Sequence, residues 1–224
     1  MKRRTLMKAT ALAAAAPFAM SIKEADAAPI KNADFYTDGK FDVEKAKDGL
    51  IAMCRRFGYP IFPEFREKLW VSDYGTGKYA ELGLAALMHE NHSSEDGVFM
   101  LMDLFLMPGQ MLPEHWHLEG DLGIVKNEGW LVRWGKSYIG GIGNNNIAMY
   151  PEIKIPQVHC KGTTTTHHVV PATPGMFVPL AEIKSRHWQF AGPEGAIINE
   201  VANLHTDSAV RHSDQAINDN FLGI

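Results

Sequence analysis

Cysteine is scarce in this chain. With only Cys54 and Cys160 in 224 residues, a disulfide-built scaffold is excluded, and neither residue has the close Cys or His spacing of a zinc ribbon. They fall in different elements and are expected to be unpaired. Runs of basic residues are also missing beyond Lys2-Arg3-Arg4, and 22 Lys+Arg stand against 26 Asp+Glu, so a nucleic-acid or anionic-membrane surface has little support. After the first 27 residues no apolar stretch is long and charge-free enough to cross a bilayer. Internal repeats are absent. What remains is 46% hydrophobic and 21% charged with 20 Gly and 12 Pro, the composition of a folded globular protein built around one core.

The N-terminus reads differently from the rest. Lys2-Arg3-Arg4 and Lys8 precede the apolar run Ala9–Ala16, and Ala25-Asp26-Ala27 offers small residues for cleavage, which is the pattern of an export signal over residues 1–27. Lys-Arg-Arg-Thr-Leu-Met-Lys also resembles the twin-arginine signal, with a Sec signal or an uncleaved anchor as the alternatives. The expected destination is the periplasm or the exterior. Cleavage would remove Lys2, Arg3, Arg4, Lys8, Lys23, Glu24 and Asp26, turning 22 basic and 26 acidic residues into 17 and 24. No stable membrane association is expected afterwards.

One helix is expected next, because Val43, Ala46, Leu50, Met53, Cys54 and Phe57 recur at helical spacing behind Asp42 and Gly58 stops them. It lies in a segment, residues 28–80, that also holds the irregular stretch around Pro60 and Pro63. From residue 81 to 224 the signals are those of strands. The run 98–107 is apolar on both faces, and the shorter runs 130–134, 147–155, 167–170, 176–180 and 196–201 are separated by Gly, Pro and Asn clusters such as residues 140–146. That spacing predicts an all-β sandwich or barrel.

The chemistry concentrates in Pro108–Asp121. On a strand, His115 and His117 project to one face roughly 7 Å apart at their Cα atoms, close enough for two imidazoles to converge on one metal ion. Asp121, past a turn containing Gly120, can return a carboxylate to the same ion. Two His and an acid leave coordination positions open and suit Mn, Fe, Zn, Co or Ni. A fourth ligand is expected from His187, at the start of a strand after Pro174-Gly175. Glu128 reads as a turn acid before Gly129, and of His167 and His168 only one can face inward. Trp116, Arg186 and Trp188 alternate away from the His positions, and Trp130 and Trp134 read as core.

Gly109, His115, His117, Asp121 and Gly129 fall on a motif that resembles the cupin superfamily, with Asp121 where that family usually has Glu. The resemblance implies a double-stranded β-helix (jelly-roll) barrel with a metal in its mouth. A closer likeness covers most of the chain after residue 27. The leading helix, Phe57–Pro63, Leu82-Gly83-Leu84, Pro174…Trp188 and Ile197–Asp207 are similar to the bacterial D-lyxose isomerases, in which a Gly-Glu-Val-Ser stretch carries an active-site Glu that Glu200 matches. The likeness implies an aldose–ketose isomerase of a small sugar with one divalent metal ion, manganese first, and no nucleic-acid partner; a homodimer is compatible with it. Isomerisation needs a metal to hold the C1 and C2 oxygens and a base to move a proton between the carbons, and Glu200 would be that base. Two residues before the metal carboxylate this family has Lys, and with Asp121 as ligand that position is Glu119, a second acid/base group or an exposed turn acid. Two other readings use the same ligands: an iron-dependent oxygenase and a sugar-binding cupin without chemistry.

Overall fold

The computed structural model describes residues 30–223 apart from Asp121; the export signal expected over residues 1–27 and the Asp121 ligand expected from the sequence lie outside the described residues. The elements are β1 Tyr36–Thr37, β2 Lys40–Phe41, α1 Val43–Arg56, α2 Phe65–Lys68, β3 Trp70–Ser72, β4 Leu84–Ser94, β5 Gly97–Leu106, β6 Met111–His117, β7 Glu128–Gly141, β8 His168–Ala172, β9 Phe177–Pro179, β10 His187–Ala202, β11 Val210–His212 and α3 Gln215–Leu222.

The expected helix is α1. Asp42 caps it, its carboxylate accepting from the Glu44 and Lys45 amides, and Ala46, Leu50, Met53 and Cys54 form its buried stripe. They pack with Phe65, Phe105 and Ile197 against the outside of the sheet, where complete burial of Leu50 contributes about 2 kcal/mol. This layer explains why the second half of the run 98–107 is apolar on both faces; in the first half Phe99 and Leu101 are exposed on the outer side. Met100, Met102, Leu104 and Leu106 point into the barrel, while Phe105 and Met107 meet the helix. One strand expectation is corrected: residues 147–155 form a short 3-10 helix, Ile147–Met149, and an irregular cover whose Ile153 packs on Tyr138, Trp188 and Phe190. Its apolar residues cover a sheet without joining it.

Every pairing in the nine-stranded sheet is antiparallel except for the isolated bridge Leu82–Met111. β10 pairs with β7 along its whole length, with β6 over its first half and with β5 over its second. The β7–β10 ribbon therefore belongs to two sheets and must bend between them. The bend falls where the register slips between Ala191 and Ala196, at Gly135 (φ 69°) and Gly195 (φ 90°), and a Cβ on Gly135 would run into the Gly195 carbonyl. Only glycine permits both the left-handed backbone and the approach.

Candidate active site

The bend decides what meets what. His187 and Glu200 are thirteen residues apart, about 40 Å along a straight strand, yet both touch Trp130. Its ring lies 5.0 Å from that of His187, and its Nε1 donates to Glu200 Oε2 at 3.1 Å. The two ends of the ribbon face each other across the barrel.

His115 and His117 sit on β6 as alternation requires, and His187 is paired with His115 in the register of β10 on β6. The Nε2 atoms of His115 and His187 are 3.0 Å apart. Nδ1 of His115 lies 2.8 Å from the Pro113 carbonyl and Nδ1 of His187 lies 3.1 Å from the Ser185 carbonyl, so each Nδ1 carries the proton and each Nε2 presents a lone pair. Glu128 Oε1 completes the group, 3.1 Å from His117 Nε2 and 3.2 Å from His187 Nε2. Nitrogen lone pairs of three imidazoles converging with a carboxylate is the donor set of a divalent cation site, and these residues fit one. Burial, together with the neighbouring imidazoles, holds His115 well below the usual histidine range, and burial takes His117 down to about 4, so both rings are in the neutral, ligating form.

The carboxylate at the histidines is thus one the sequence had read as a turn. No short turn returns to the next strand after His117: Gly120 donates to the Ile124 carbonyl, and the next sheet strand, β7, begins only at Glu128. Glu119, the other expected acid/base group, is exposed here and is not among the residues lining the cavity.

Lys126, which sequence reasoning passed over, is buried between two acids. Its ammonium is 2.9 Å from Glu128 Oε2 and bonded to Glu200 Oε1. Burial would lower the Lys126 pKa, but the two carboxylates raise it above the lysine range. Glu128 is likewise opposed by burial, yet Lys126 and the imidazoles hold it well below the usual carboxylate range. Glu200 goes the other way: burial and the charge of Glu128 push it up against the pull of Lys126. Two buried acids at one lysine are driven apart, one to a permanent anion and the other toward a group that exchanges its proton. The spacing Lys126-Asn127-Glu128 also supplies the lysine two residues before the carboxylate that the family resemblance demands, a signal legible in the sequence had Glu128 been taken as the ligand.

His115, His117, Lys126 and Glu200 line a cavity of about 360 Å³, the size of a small-ligand site. Trp188 and Arg186 lie on the other face of the sheet, Arg186 over the Trp116 ring, and Trp134 stacks on Phe57 beneath α1. His167 and His168 are outside the cavity, and both cysteines are free thiols.

No family model matches the chain. A D-lyxose ketol-isomerase of Cohnella laeviribosi is 31% identical over 165 residues, 73% of this chain and 85% of that protein. The chain belongs to the D-lyxose ketol-isomerase family. A second D-lyxose ketol-isomerase, from Thermofilum sp., is 29% identical over 167 residues, 74% of this chain and 87% of its own length. Among solved structures the L-ribose isomerase of Cellulomonas parahominis superposes with a TM-score of 0.54 at 14% identity over 80% of this chain and 94% of that one. The L-ribose isomerase of Acinetobacter sp. DL28 does so with 0.54 at 14% over 81% and 88%. The fold is the cupin-type β-barrel, and the enzyme is an aldose–ketose isomerase of the D-lyxose ketol-isomerase family.

Proposed function

We propose that this isomerase is exported, that it binds one divalent metal ion through His115, His117, Glu128 and His187, and that it interconverts a small free aldose and its ketose. The aldose would be of the D-lyxose or D-mannose kind that its relatives are named for. The carrying observation is the convergence of three imidazoles and Glu128, linked through Lys126 to a second buried acid, Glu200, beside a cavity that His115, His117, Lys126 and Glu200 line. Glu128 stands at the imidazoles, which is why it takes the place given to Asp121 in the sequence reading.

Bound there, the ion, manganese first among Mn, Fe, Zn, Co and Ni, would hold and polarise the C1 and C2 oxygens. Glu200 takes the proton from C2 of the aldose and returns it to C1 of the enediol, a task suited to a carboxyl raised toward neutrality. Lys126 keeps Glu200 oriented and offers a proton toward the sugar oxygens. Trp130 closes the other Glu200 oxygen and excludes water. The lysine argues against a cupin that has lost its chemistry, because a binding site has no need to bury a cation between two acids.

The test is metal analysis of protein exported by its native host, then assay of D-lyxose, D-mannose and L-ribose for ketose. Stoichiometric divalent metal with ketose formation is expected, and Glu200→Gln should keep the metal and lose at least about 100-fold in turnover. Full metal occupancy with no ketose from any aldose would overturn the reading. Export is tested separately: Arg3→Lys/Arg4→Lys should leave the protein in the cytoplasm.

A further inference from the structure

Tyr74 follows β3 in a left-handed backbone conformation (φ 54°) that a tyrosine adopts only when its surroundings impose it. They do so through a dense set of turn bonds. Ser72 Oγ accepts from the Tyr74 amide at 3.0 Å, and the Asp73 carboxylate accepts from the Gly75 amide at 3.0 Å, the Gly77 amide at 3.2 Å and the Tyr36 hydroxyl at 2.7 Å. Gly75 lies so close to the Asn220 side chain that a Cβ there would overlap it, which fixes the turn against α3.

The strain delivers one side chain into the cavity. The Tyr74 ring packs 5.3 Å from that of His212, which in turn lies 5.8 Å from that of His115, and the charge of Glu200 acts on its phenol. Tyr74 is therefore two rings from the histidine cluster, on the wall that it shares with Glu200. Its phenol oxygen has no hydrogen-bond partner among the described residues. Unlike the oxygen of Tyr79, it is not sealed away from the cavity either. Much of the neighbouring wall, Leu84, Met88, Met102 and Leu104, offers a sugar hydroxyl nothing beyond the weak thioether acceptors of the two methionines.

We propose that Tyr74 is a substrate-binding residue whose phenol hydroxyl bonds a sugar hydroxyl beyond C2, so that the strained Ser72–Gly77 turn sets which aldoses the isomerase accepts. This rests on the isomerase reading for the identity of the ligand. Burial and Glu200 raise the phenol above the usual tyrosine range, which keeps its proton in place as a donor. A site that places a polar group against a substrate hydroxyl discriminates strongly against an analogue lacking it, because the buried group is then left unpaired.

The test is Tyr74→Phe, which keeps the ring against Trp70, His212 and Phe221 and removes one oxygen. Metal content and melting temperature serve as controls, and binding of D-lyxose, D-mannose and L-ribose to the metal-loaded protein is measured by calorimetry beside KM and kcat. A loss of about tenfold or more in affinity and a matching rise in KM, with kcat largely kept, is expected for the best-bound sugar. The 4- or 5-deoxy analogue of that sugar should bind wild type and Y74F equally. Affinity unchanged within twofold overturns the proposal. Should wild type bind these sugars without converting them, the isomerase reading falls and the affinity ratio still decides the role of Tyr74; a wild type that binds none of them overturns both.

Discussion

His115 and His187 stand Nε2 to Nε2 at 3.0 Å, each with its ring proton directed to a backbone carbonyl on the far side. Two lone pairs at that distance repel each other, and a cation between them turns the repulsion into coordination. His187→Ala is therefore expected to abolish metal retention through dialysis while far-UV circular dichroism stays unchanged. Glu128→Gln should lose more metal than Asp121→Asn, measured by elemental analysis. The reverse order would return the ligand role to Asp121.

Lys126 separates two buried carboxylates, so its removal should cost more than one ion pair. Lys126→Met leaves Glu128 and Glu200 unneutralised, and stability to urea should fall by about 3–5 kcal/mol, with turnover falling too. Replacing Glu200 by Gln in the same chain removes one of the two charges. The double variant K126M/E200Q should recover part of the lost stability; a double variant as unstable as the sum of its parts would mean that the two residues do not act through each other.

Histidines buried in the neutral state make the metal-free protein acid-sensitive. Burial lowers both His117 and His212 to about 4. Between the ordinary histidine pKa of about 6.5 and that value the unfolded chain binds more protons than the native one, so stability falls as pH falls through this window and levels off below it with respect to these groups. Each ring is worth up to about 3 kcal/mol at 1.36 kcal/mol per pKa unit. Urea midpoints of chelator-treated protein at pH 7, 6 and 5 should decline steadily, and His212→Gln should flatten the curve. A midpoint independent of pH would show that these rings are not held neutral.

Glu114 anchors the loop that covers the far side of β6. Its carboxylate accepts from the amides and hydroxyls of Thr165 and Thr166 and from Ser213 Oγ, bonds that hold its pKa low despite burial. Glu114→Gln turns an acceptor-only group into one whose amide confronts these donors. A loss of about 3 kcal/mol is expected in urea unfolding with metal content unchanged, and a loss of metal at full stability would give Glu114 a place in the site instead.

Local rules carried the reading of α1, of the double-faced strand β5 and of the His115/His117 pair, because each depends on periodicity within one element. His187 was legible from its place at the start of a strand after Pro174-Gly175, and it lies where β10 pairs with β6. Glu128 was not, since its nearness to the histidines depends on where β7 begins after His117 and on a fold in the ribbon sixty residues downstream. Lys126 was passed over for the same reason: its partner Glu200 is 74 positions away. The stretch 147–155 misled because apolar residues that cover a sheet and those that form one look alike without their hydrogen bonds. Nothing in Asp73-Tyr74-Gly75 announces a cavity-facing phenol, although its glycine hints at a turn.

The kink at Gly135 and Gly195 makes the β7–β10 ribbon a pair of tongs, with Glu128 and Glu200 on one jaw and His187 on the other. The jaw opening is set at a fulcrum that contacts none of the reacting groups. A degree of extra flexion there is multiplied along the arms into a change in the gap between Glu128 and His187, while the lining of the cavity keeps every side chain it has. The reach of this enzyme is thus set at two glycines that do not line its cavity.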